Sequence, residues 1–205
     1  MHILLTDRLA CPRCGPGFGL ILLADHIADR RVLEGRLGCP NCREQYPVRG
    51  GQVDLRTGPS PEETPSIVED DAEAAVKYAA LLGLQDNPGP VLLAGPASAL
   101  APAVAALVPN LEVVALSARP SDSDETLGVS RLAGGPLLPF MNASLRGVAL
   151  TGGADEALLA DALRALVPGT RLVVDRAPEG TADALRGLGA EVLLDQQGVV
   201  VAAVR

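Results

Sequence analysis

The sequence predicts an α/β protein in two parts: a small N-terminal β domain, then a larger domain whose mainly parallel sheet ends in an antiparallel hairpin. Three observations support this fold class. Two Cys-x-x-Cys pairs lie within the first 42 of the 205 residues, and short apolar segments alternate with helical ones from residue 90 onward. The net charge also differs between these two parts: residues 1–56 carry a net charge of +2, and the remaining residues carry a net charge of −10.

The cysteines occur as Cys11-Pro-Arg-Cys14 and Cys39-Pro-Asn-Cys42. Each pair places two thiolates on one tight turn, so two such turns supply the four tetrahedral ligands that Zn²⁺ prefers. The spacing therefore predicts a closed, structural zinc site on all four cysteines. Disulfides, free thiols and an iron site remain alternatives, although disulfides need an oxidising compartment and no export signal is recognisable. His26 is expected in a solvated hairpin turn and not among the ligands.

The first part, residues 1–56, is predicted to consist of short β hairpins. Residues 19–24 and 31–37 are apolar segments typical of paired strands, and Gly50-Gly51 supplies a turn between two shorter strands. About 55 residues are close to the lower limit for a stable core. Metal ligation, which contributes on the order of 10 kcal/mol in small metal domains, is expected to supply the missing stability.

Residues 57–69 are rich in proline and are expected to form a linker to the second part, residues 70–205. Helices are predicted over residues 67–84, 97–108, 155–167 and 179–188. Strands are predicted over residues 91–94, 111–116, 147–150, 171–174, 190–194 and 199–204. This alternation indicates a parallel sheet with helices on both faces, whereas the last two strands, joined by a short turn, must be antiparallel.

Composition excludes several classes of function. Aromatic residues make up only 2% of the sequence, too few for a stacking surface that binds single-stranded nucleic acid. A net charge of −8 is poorly suited to broad contact with phosphates or anionic lipid. The uncharged stretch 88–111 contains five prolines, which argues against a membrane-spanning helix. The sequence therefore predicts a cytoplasmic protein that does not enter a membrane.

Three motifs of the first part carry a family resemblance: Leu9-Ala-Cys-Pro-Arg-Cys, Gly38-Cys-Pro-Asn-Cys and Tyr46-Pro-Val-Arg-Gly-Gly-Gln-Val. Over residues 4–56 the chain resembles the zinc-ribbon methyltransferase activator proteins. Members of that family bind and stabilise a class I methyltransferase, and they carry metal ligands but no catalytic residues. The resemblance implies a ribbon that lays an apolar strand face on a methyltransferase.

Two stretches of the second part carry another resemblance: Leu138-Pro-Phe-Met-Asn-Ala-Ser-Leu-Arg-Gly-Val and Leu163-Arg-Ala-Leu-Val-Pro-Gly-Thr-Arg-Leu-Val-Val. With the order of strands, they make residues 70–205 similar to the Rossmann-like domain of class I S-adenosylmethionine-dependent methyltransferases. The resemblance implies a cofactor site at the carboxyl ends of the first strands. Fold alone does not settle function.

The chain departs from that family at the implied cofactor site. The family's first loop has an acid and three alternating glycines, which correspond here to Leu93, Gly95, Ala97 and Ala99. The added methyl groups would crowd the path of the cofactor's methionine moiety. Ser117 stands where the family has an acid that holds the ribose hydroxyls. We therefore predict that S-adenosylmethionine is not bound.

Six further residues bear on the same prediction. Gly134 and Arg146 stand where the family has aspartates. Thr151-Gly152-Gly153 and Asp175 end two predicted strands, where they could line a pocket, although ordinary turns explain them as well. If the cofactor does bind, the residues expected to hold it are Gly95, Pro96 and Ser117.

The leading hypothesis is a non-catalytic, zinc-binding scaffold or regulatory protein without catalytic residues. Its expected partner is its own second domain, a second copy of the chain or a methyltransferase. The alternative is a methyltransferase acting on RNA or protein, with the ribbon as its recognition module; nucleic acid is the less favoured partner because the second part is acidic. A docked ribbon is expected to use Leu20, Leu22, Val48 and Val53. Replacing Cys39 by serine is expected to unfold the ribbon alone.

Overall fold

The structure is a computed structural model that describes residues 1–58, 71–84, 89–121, 125–135 and 137–205. The strands are β1 (Ala10–Cys11), β2 (Gly15–Gly19), β3 (Ile21–Ala28), β4 (Arg31–Gly38), β5 (Gln45–Arg49), β6 (Gln52–Asp54), β7 (Pro90–Ala94), β8 (Glu112–Ser117), β9 (Val129–Ala133), β10 (Leu145–Thr151), β11 (Leu166–Asp175), β12 (Glu191–Gln196) and β13 (Val199–Ala203). The α-helices are α1 (Asp71–Leu82), α2 (Ala101–Leu107), α3 (Glu156–Ala165) and α4 (Thr181–Gly187), and 3₁₀ segments span Ile3–Arg8 and Gly95–Leu100.

Eleven strands form one sheet in the order β12-β13-β11-β10-β7-β8-β9-β6-β5-β4-β3, and β1 and β2 pair separately. Strands β9, β8, β7, β10 and β11 are mutually parallel, whereas β13 runs antiparallel to both β11 and β12. The predicted α/β class, with a mainly parallel sheet and a C-terminal antiparallel hairpin, is confirmed. Helices α1 and α2 contribute to the buried cluster on one face of the sheet, and α3 and α4 to that on the other.

The two parts of the chain are joined edge to edge, because β6 lies parallel to β9 and continues the sheet. The paired residues are Gln52 with Arg131, Val53 with Leu132, and Asp54 with Ala133. Val48 pairs with Val53 from the other side of β6, and Leu20 belongs to the same buried cluster. Of the expected arrangements, the structure shows the N-terminal part docked within its own chain.

A second contact joins the first cysteine turn to the loop that precedes β10. The Ala10 N–H donates to the Pro139 carbonyl at 3.0 Å, and the Met141 N–H donates to the Arg8 carbonyl at 2.8 Å. Arg164 of α3 donates to carbonyl oxygens of the same loop. The strand that carries the first metal-ligand candidate is therefore tied to the larger part of the molecule.

One hydrophobic core spans both parts. Buried residues of the N-terminal part lie in the same cluster as buried residues of the larger part; among them are Leu9, Leu37, Tyr46, Leu92, Leu132, Phe140 and Leu172. The expectation that Cys39→Ser unfolds the ribbon alone is wrong in its premise, since it assumed two separate cores. Most of the expected linker, residues 59–69, lies outside the described residues.

Several local expectations need correction. The predicted helix 97–108 is a 3₁₀ segment followed by α2. Pro102 falls in the first turn of α2, where its missing N–H leaves no hydrogen bond unmade. His26 lies within β3, paired with Glu34, because β3 extends further than predicted. Strand β9 was not predicted at all, since a short Val-Ser-Arg-Leu-Ala segment becomes a buried strand only between β8 and β6.

Among the helices that the structure describes, none has the length and apolar character needed to cross a membrane.

Candidate functional site

Two tight turns bring the four cysteines together. Cys11 ends β1 and Cys14 lies in the turn that follows it, whereas Cys39 and Cys42 lie in the turn between β4 and β5. The four Sγ atoms all lie within 4.8 Å of one another. The closest pairs join the two turns, with 3.7 Å between the sulfurs of Cys11 and Cys42 and 3.8 Å between those of Cys39 and Cys14. These separations exceed the ~2.05 Å of a disulfide, and the cluster can hold a metal ion.

Polar groups contact two of the four sulfurs. The buried Tyr46 hydroxyl lies 3.4 Å from the Cys11 sulfur. Burial and the Cys11 contact raise the pKa of Tyr46, so the phenol stays neutral and keeps a proton that it can donate to a thiolate. The Asn41 amide donates to the Cys14 sulfur at 3.3 Å. Such second-shell donors commonly orient and stabilise metal ligands.

The four thiols do not ionise alike. Burial opposes ionisation of Cys39, but the backbone N–H groups of Cys42 and Asn41 outweigh it and lower the pKa of Cys39 to about 7. At Cys42 the backbone N–H of Glu44 lowers the pKa, but burial and the three neighbouring cysteines outweigh it and raise that pKa to about 12. Four thiolates crowded this closely need a cation to neutralise their mutual repulsion. His26 is not part of the cluster.

The expected cofactor residues gather at a second place, the carboxyl edge of the parallel strands. Gly95 follows β7, Ser117 ends β8 and Gly134 follows β9. Thr151 ends β10, and Asp175 ends β11. The strand order reverses between β7 and β10, which makes this the switch point where ligands of such sheets bind. We call the space between the ends of β7 and β10 the switch-point crevice.

The first loop is compact. Gly95 has a positive φ of +68°, and a Cβ on it would lie 3.6 Å from the Thr151 carbonyl oxygen. Leu93 is fully buried within β7, and Ala97 packs into the core with only 3% of its surface exposed. Pro96, which has no N–H, lies in the first turn of the 3₁₀ segment. The Ser117 hydroxyl donates to the Arg119 carbonyl at 2.5 Å and is engaged within its own loop.

Gly134 and Arg146, the two positions where the family has aspartates, lie in different surroundings. A Cβ added to Gly134 would lie 2.9 Å from Leu116 Cδ1, so the backbone there has no room for an aspartate without movement of that leucine. Arg146 lies near the amino end of β10, packed beside Gly89, and is remote in register from the carboxyl edge. Counting Arg146 among the lost cofactor contacts was therefore wrong. The residue of β10 that reaches the carboxyl edge is Thr151.

Two residues that the sequence did not indicate, Tyr78 and Lys77, form a polar cluster with Thr151 and Asp175 at this edge. Tyr78 of α1 donates from its hydroxyl to Asp175 Oδ2 at 2.9 Å, and that hydroxyl lies 3.1 Å from Thr151 Oγ1. Lys77 Nζ lies 3.0 Å from Asp175 Oδ1. Burial above all raises the pKa of Tyr78, which keeps the phenol neutral. A lone tyrosine in an alanine-rich helix was the available signal, but it does not reveal which strands the helix covers.

No protein-family model matches the sequence, and a search of curated proteins gives no match. Solved structures do match. Precorrin-6y C5,15-methyltransferase from Geobacter metallireducens is 16% identical with a TM-score of 0.54, covering 71% of this chain and 94% of that one. The pyocyanin biosynthetic protein PhzM is 19% identical with a TM-score of 0.50, covering 65% of this chain and 56% of that one. At these identities the likeness shows the fold: the chain is Rossmann-like, as these proteins are.

Proposed function

We propose that this chain is a self-contained, non-catalytic scaffold or regulatory protein, in which a Cys₄ zinc ribbon of the activator type supports a methyltransferase-like domain. The carboxyl edge carries this proposal. Of the described strand ends β7, β8 and β9, none presents an acidic side chain, and Gly134 packs against Leu116. Each charge-assisted hydrogen bond contributes roughly 1.5–3 kcal/mol. Losing two would weaken S-adenosylmethionine binding about 10²- to 10⁴-fold.

The donor set fits Zn²⁺. Four thiolates from two turns match the tetrahedral, sulfur-rich shell of structural zinc sites and leave no open position for a substrate or water. Zinc would supply charge neutralisation for the thiolates and a cross-link between the turn after β1 and the turn after β4. Reduced thiols of this kind persist in the cytoplasm, which supports the location expected from the sequence.

The pairing of β6 supports a self-contained role. Strand β6 has β5 on one side and β9 on the other, so both of its hydrogen-bonding edges are occupied within the chain. A ribbon that binds a separate methyltransferase through this strand would have one hydrogen-bonding edge of the strand free. We therefore favour the chain's own Rossmann-like part as the ribbon's partner over a separate enzyme or a second copy.

Calorimetric titration with S-adenosylmethionine tests the proposed function. We expect no saturable heat at physiological cofactor concentration, for the reason given above. Thermal unfolding of the same zinc-loaded sample should show one cooperative transition, which excludes an unfolded protein as the cause. A dissociation constant in the low micromolar range would contradict the proposal.

One observation favours the alternative, a methyltransferase acting on RNA or protein. A Cβ on Gly152 or Gly153 would meet no atom within 4 Å, so there is open space beyond the end of β10. Together with Gly95, these glycines would let a ligand approach the backbone closely. If the cofactor binds there, Gly152→Val should abolish binding, because Gly152 has a φ of +88°. Nucleic acid remains the less favoured partner.

The Tyr46–Cys11 contact gives a separate prediction about zinc. Tyr46→Phe removes the buried hydroxyl beside the Cys11 sulfur, which would donate to a metal-bound thiolate, and should weaken zinc binding by about 10- to 100-fold. Competition against a chromophoric chelator measures this change. Asn41→Ala is the matched control, because Asn41 is exposed and water can replace its donation to Cys14, so its effect should be smaller. Equal effects of the two substitutions would argue against a special role for Tyr46.

A further inference from the structure

Strand β3 is the last strand of the eleven-stranded sheet, and one of its two hydrogen-bonding edges has no partner strand in the described parts of the chain. The sheet ends in the order β6-β5-β4-β3, and β3 pairs with β4. Its eight residues span about 27 Å, whereas proteins usually keep their edge strands very short. Unpaired backbone N–H and C=O groups along such a strand form a template for pairing with another strand.

Apolar side chains are exposed along this strand. Ile21 is 54% exposed, and Leu23 and Ile27 are each 46% exposed. The segment 15–24, which leads into β3 and forms its first half, has no charged or polar side chain. Natural proteins commonly protect a free edge with lysine, proline or other charged residues. Strand β3 contains neither lysine, arginine nor proline, and Asp25 is its one acidic residue.

The regular part of β3 is its first half. Residues 21–24 pair in unbroken register with residues 38–35 of β4, whereas the register shifts twice between Ala24 and Ile27. Bulges of this kind bend a strand and interrupt its pairing. A further strand can therefore add to residues 21–24, Ile-Leu-Leu-Ala, which are all apolar. If two copies of this segment pair antiparallel, no charged side chain of one lies opposite a charged side chain of the other.

The distribution of charge allows two copies to meet at this edge. Strands β4, β5 and β6 separate β3 from β9, the nearest strand of the part that carries a net charge of −10. At the usual strand spacing this distance is about 19 Å, well beyond the ~8 Å over which salt screens charges at physiological ionic strength. At the opposite end of the sheet, β12 belongs to the acidic part and itself carries Glu191 and Asp195, so self-pairing there would bring like charges together.

We propose that this chain forms a two-fold symmetric homodimer in which β3 pairs antiparallel with β3 of a second copy. The pairing would join the two eleven-stranded sheets into one. Because both copies use the same edge, the contact closes at two chains and does not continue into a polymer. The proposed function assigns the β6 edge of the ribbon to the chain's own larger part, whereas this inference concerns the opposite edge and holds whether or not a cofactor binds.

Sedimentation equilibrium of the zinc-loaded chain tests the dimer. At about 100 μM, where a dimer of micromolar affinity is largely assembled, we expect twice the mass of one chain. Leu23→Lys should raise the dissociation constant about 100-fold or more, because each dimer loses two leucines and gains two like charges on the paired strands. Leu193→Lys is the matched control, since Leu193 is 48% exposed on β12, the other edge strand, and its substitution should leave the mass unchanged.

A second variant and a second measurement guard against loss of folding as the cause. Ile21→Lys should dissociate the dimer as Leu23→Lys does, and the circular dichroism of both variants should match that of the unaltered chain, because both side chains are exposed. Hydrogen–deuterium exchange of the unaltered chain should slow at residues 21–24 as its concentration is raised, with exchange in β12 unchanged.

Three results would overturn the dimer. An unaltered chain that stays monomeric would show that the edge is left open or takes a different protein. A series of larger species would indicate head-to-tail pairing of β3 with another edge. A dimer that survives Leu23→Lys and Ile21→Lys, or that Leu193→Lys dissociates equally well, would place the contact elsewhere on the chain.

Discussion

Removing the metal, or replacing Cys39 by serine, is expected to unfold the whole chain and not the N-terminal part alone. Zinc ligation contributes on the order of 10 kcal/mol in small metal domains, comparable with the entire net stability of about 5–15 kcal/mol that is usual for a protein. The loss of folded structure should extend to the larger part, because Leu9, Leu37 and Tyr46 share one buried cluster with its strands.

Two measurements check this prediction. Elemental analysis of protein purified without added metal should give one zinc per chain, and a strong chelator should lower the unfolding temperature followed by circular dichroism. Cys39→Ser should reproduce the effect of the chelator. Asn41→Ser is the control, because Asn41 lies in the same turn but is exposed and is not one of the four clustered sulfur ligands. A zinc content near zero, or a larger part that keeps its original transition in Cys39→Ser, would contradict the prediction.

The features that the sequence predicted well are those encoded by residues close together in the chain. The Cys-x-x-Cys spacing sets the geometry of each turn before any tertiary contact forms, and only the meeting of the two turns depends on the fold. The alternation of apolar segments with helices indicated a parallel sheet for the same reason. Pro102 and the Asp155 cap of α3 likewise act within a single helical turn.

What the sequence did not reveal depends on contacts between distant residues. Strand β9 is buried because β6 pairs with it, and the two strands are more than 70 residues apart in the chain. Tyr78 and Asp175 are 97 positions apart, and the helical pattern alone does not show which strands the helix packs against. Arg146 was misjudged because it was counted among the cofactor contacts although the start of a parallel strand lies at the edge of the sheet opposite to that site. The register of a strand and the strand that it pairs with depend on tertiary contacts, which local sequence patterns do not determine.

Replacing Arg31 by methionine should be strongly destabilising, because the buried Arg31 guanidinium joins the two parts through ion pairs with two acids of the larger part. Its Nε lies 2.6 Å from Glu125 Oε1, and its Nη1 lies 3.3 Å from Glu112 Oε1. The guanidinium also donates to the Val129 carbonyl at the start of β9. Only 7% of the Arg31 side chain is exposed, whereas most surface ion pairs contribute little.

The expected loss follows from the charges that would be left behind. Beside Arg31, only 18% of the Glu112 side chain is exposed, so a methionine at position 31 would leave this carboxylate largely desolvated and without its main cationic partner. Breaking one side of a buried pair typically costs 3–5 kcal/mol. In a chain of this size that corresponds to a fall in unfolding temperature of roughly 10 °C. Thermal unfolding of the zinc-loaded protein measures the change directly.

Arg36→Met provides the matched control, since Arg36 lies on the same strand, is exposed and should change stability by no more than about 0.5 kcal/mol. Neutralising the acids tests the mechanism. In Arg31→Met combined with Glu112→Gln and Glu125→Gln, part of the lost stability should return, because the uncompensated charges are gone. If Arg31→Met is as mild as Arg36→Met, the ion pairs contribute little, and the β6–β9 pairing, the contact with the loop before β10 and the shared core hold the two parts together. If the triple variant is no more stable than Arg31→Met, packing of the arginine stem, and not charge, accounts for the loss.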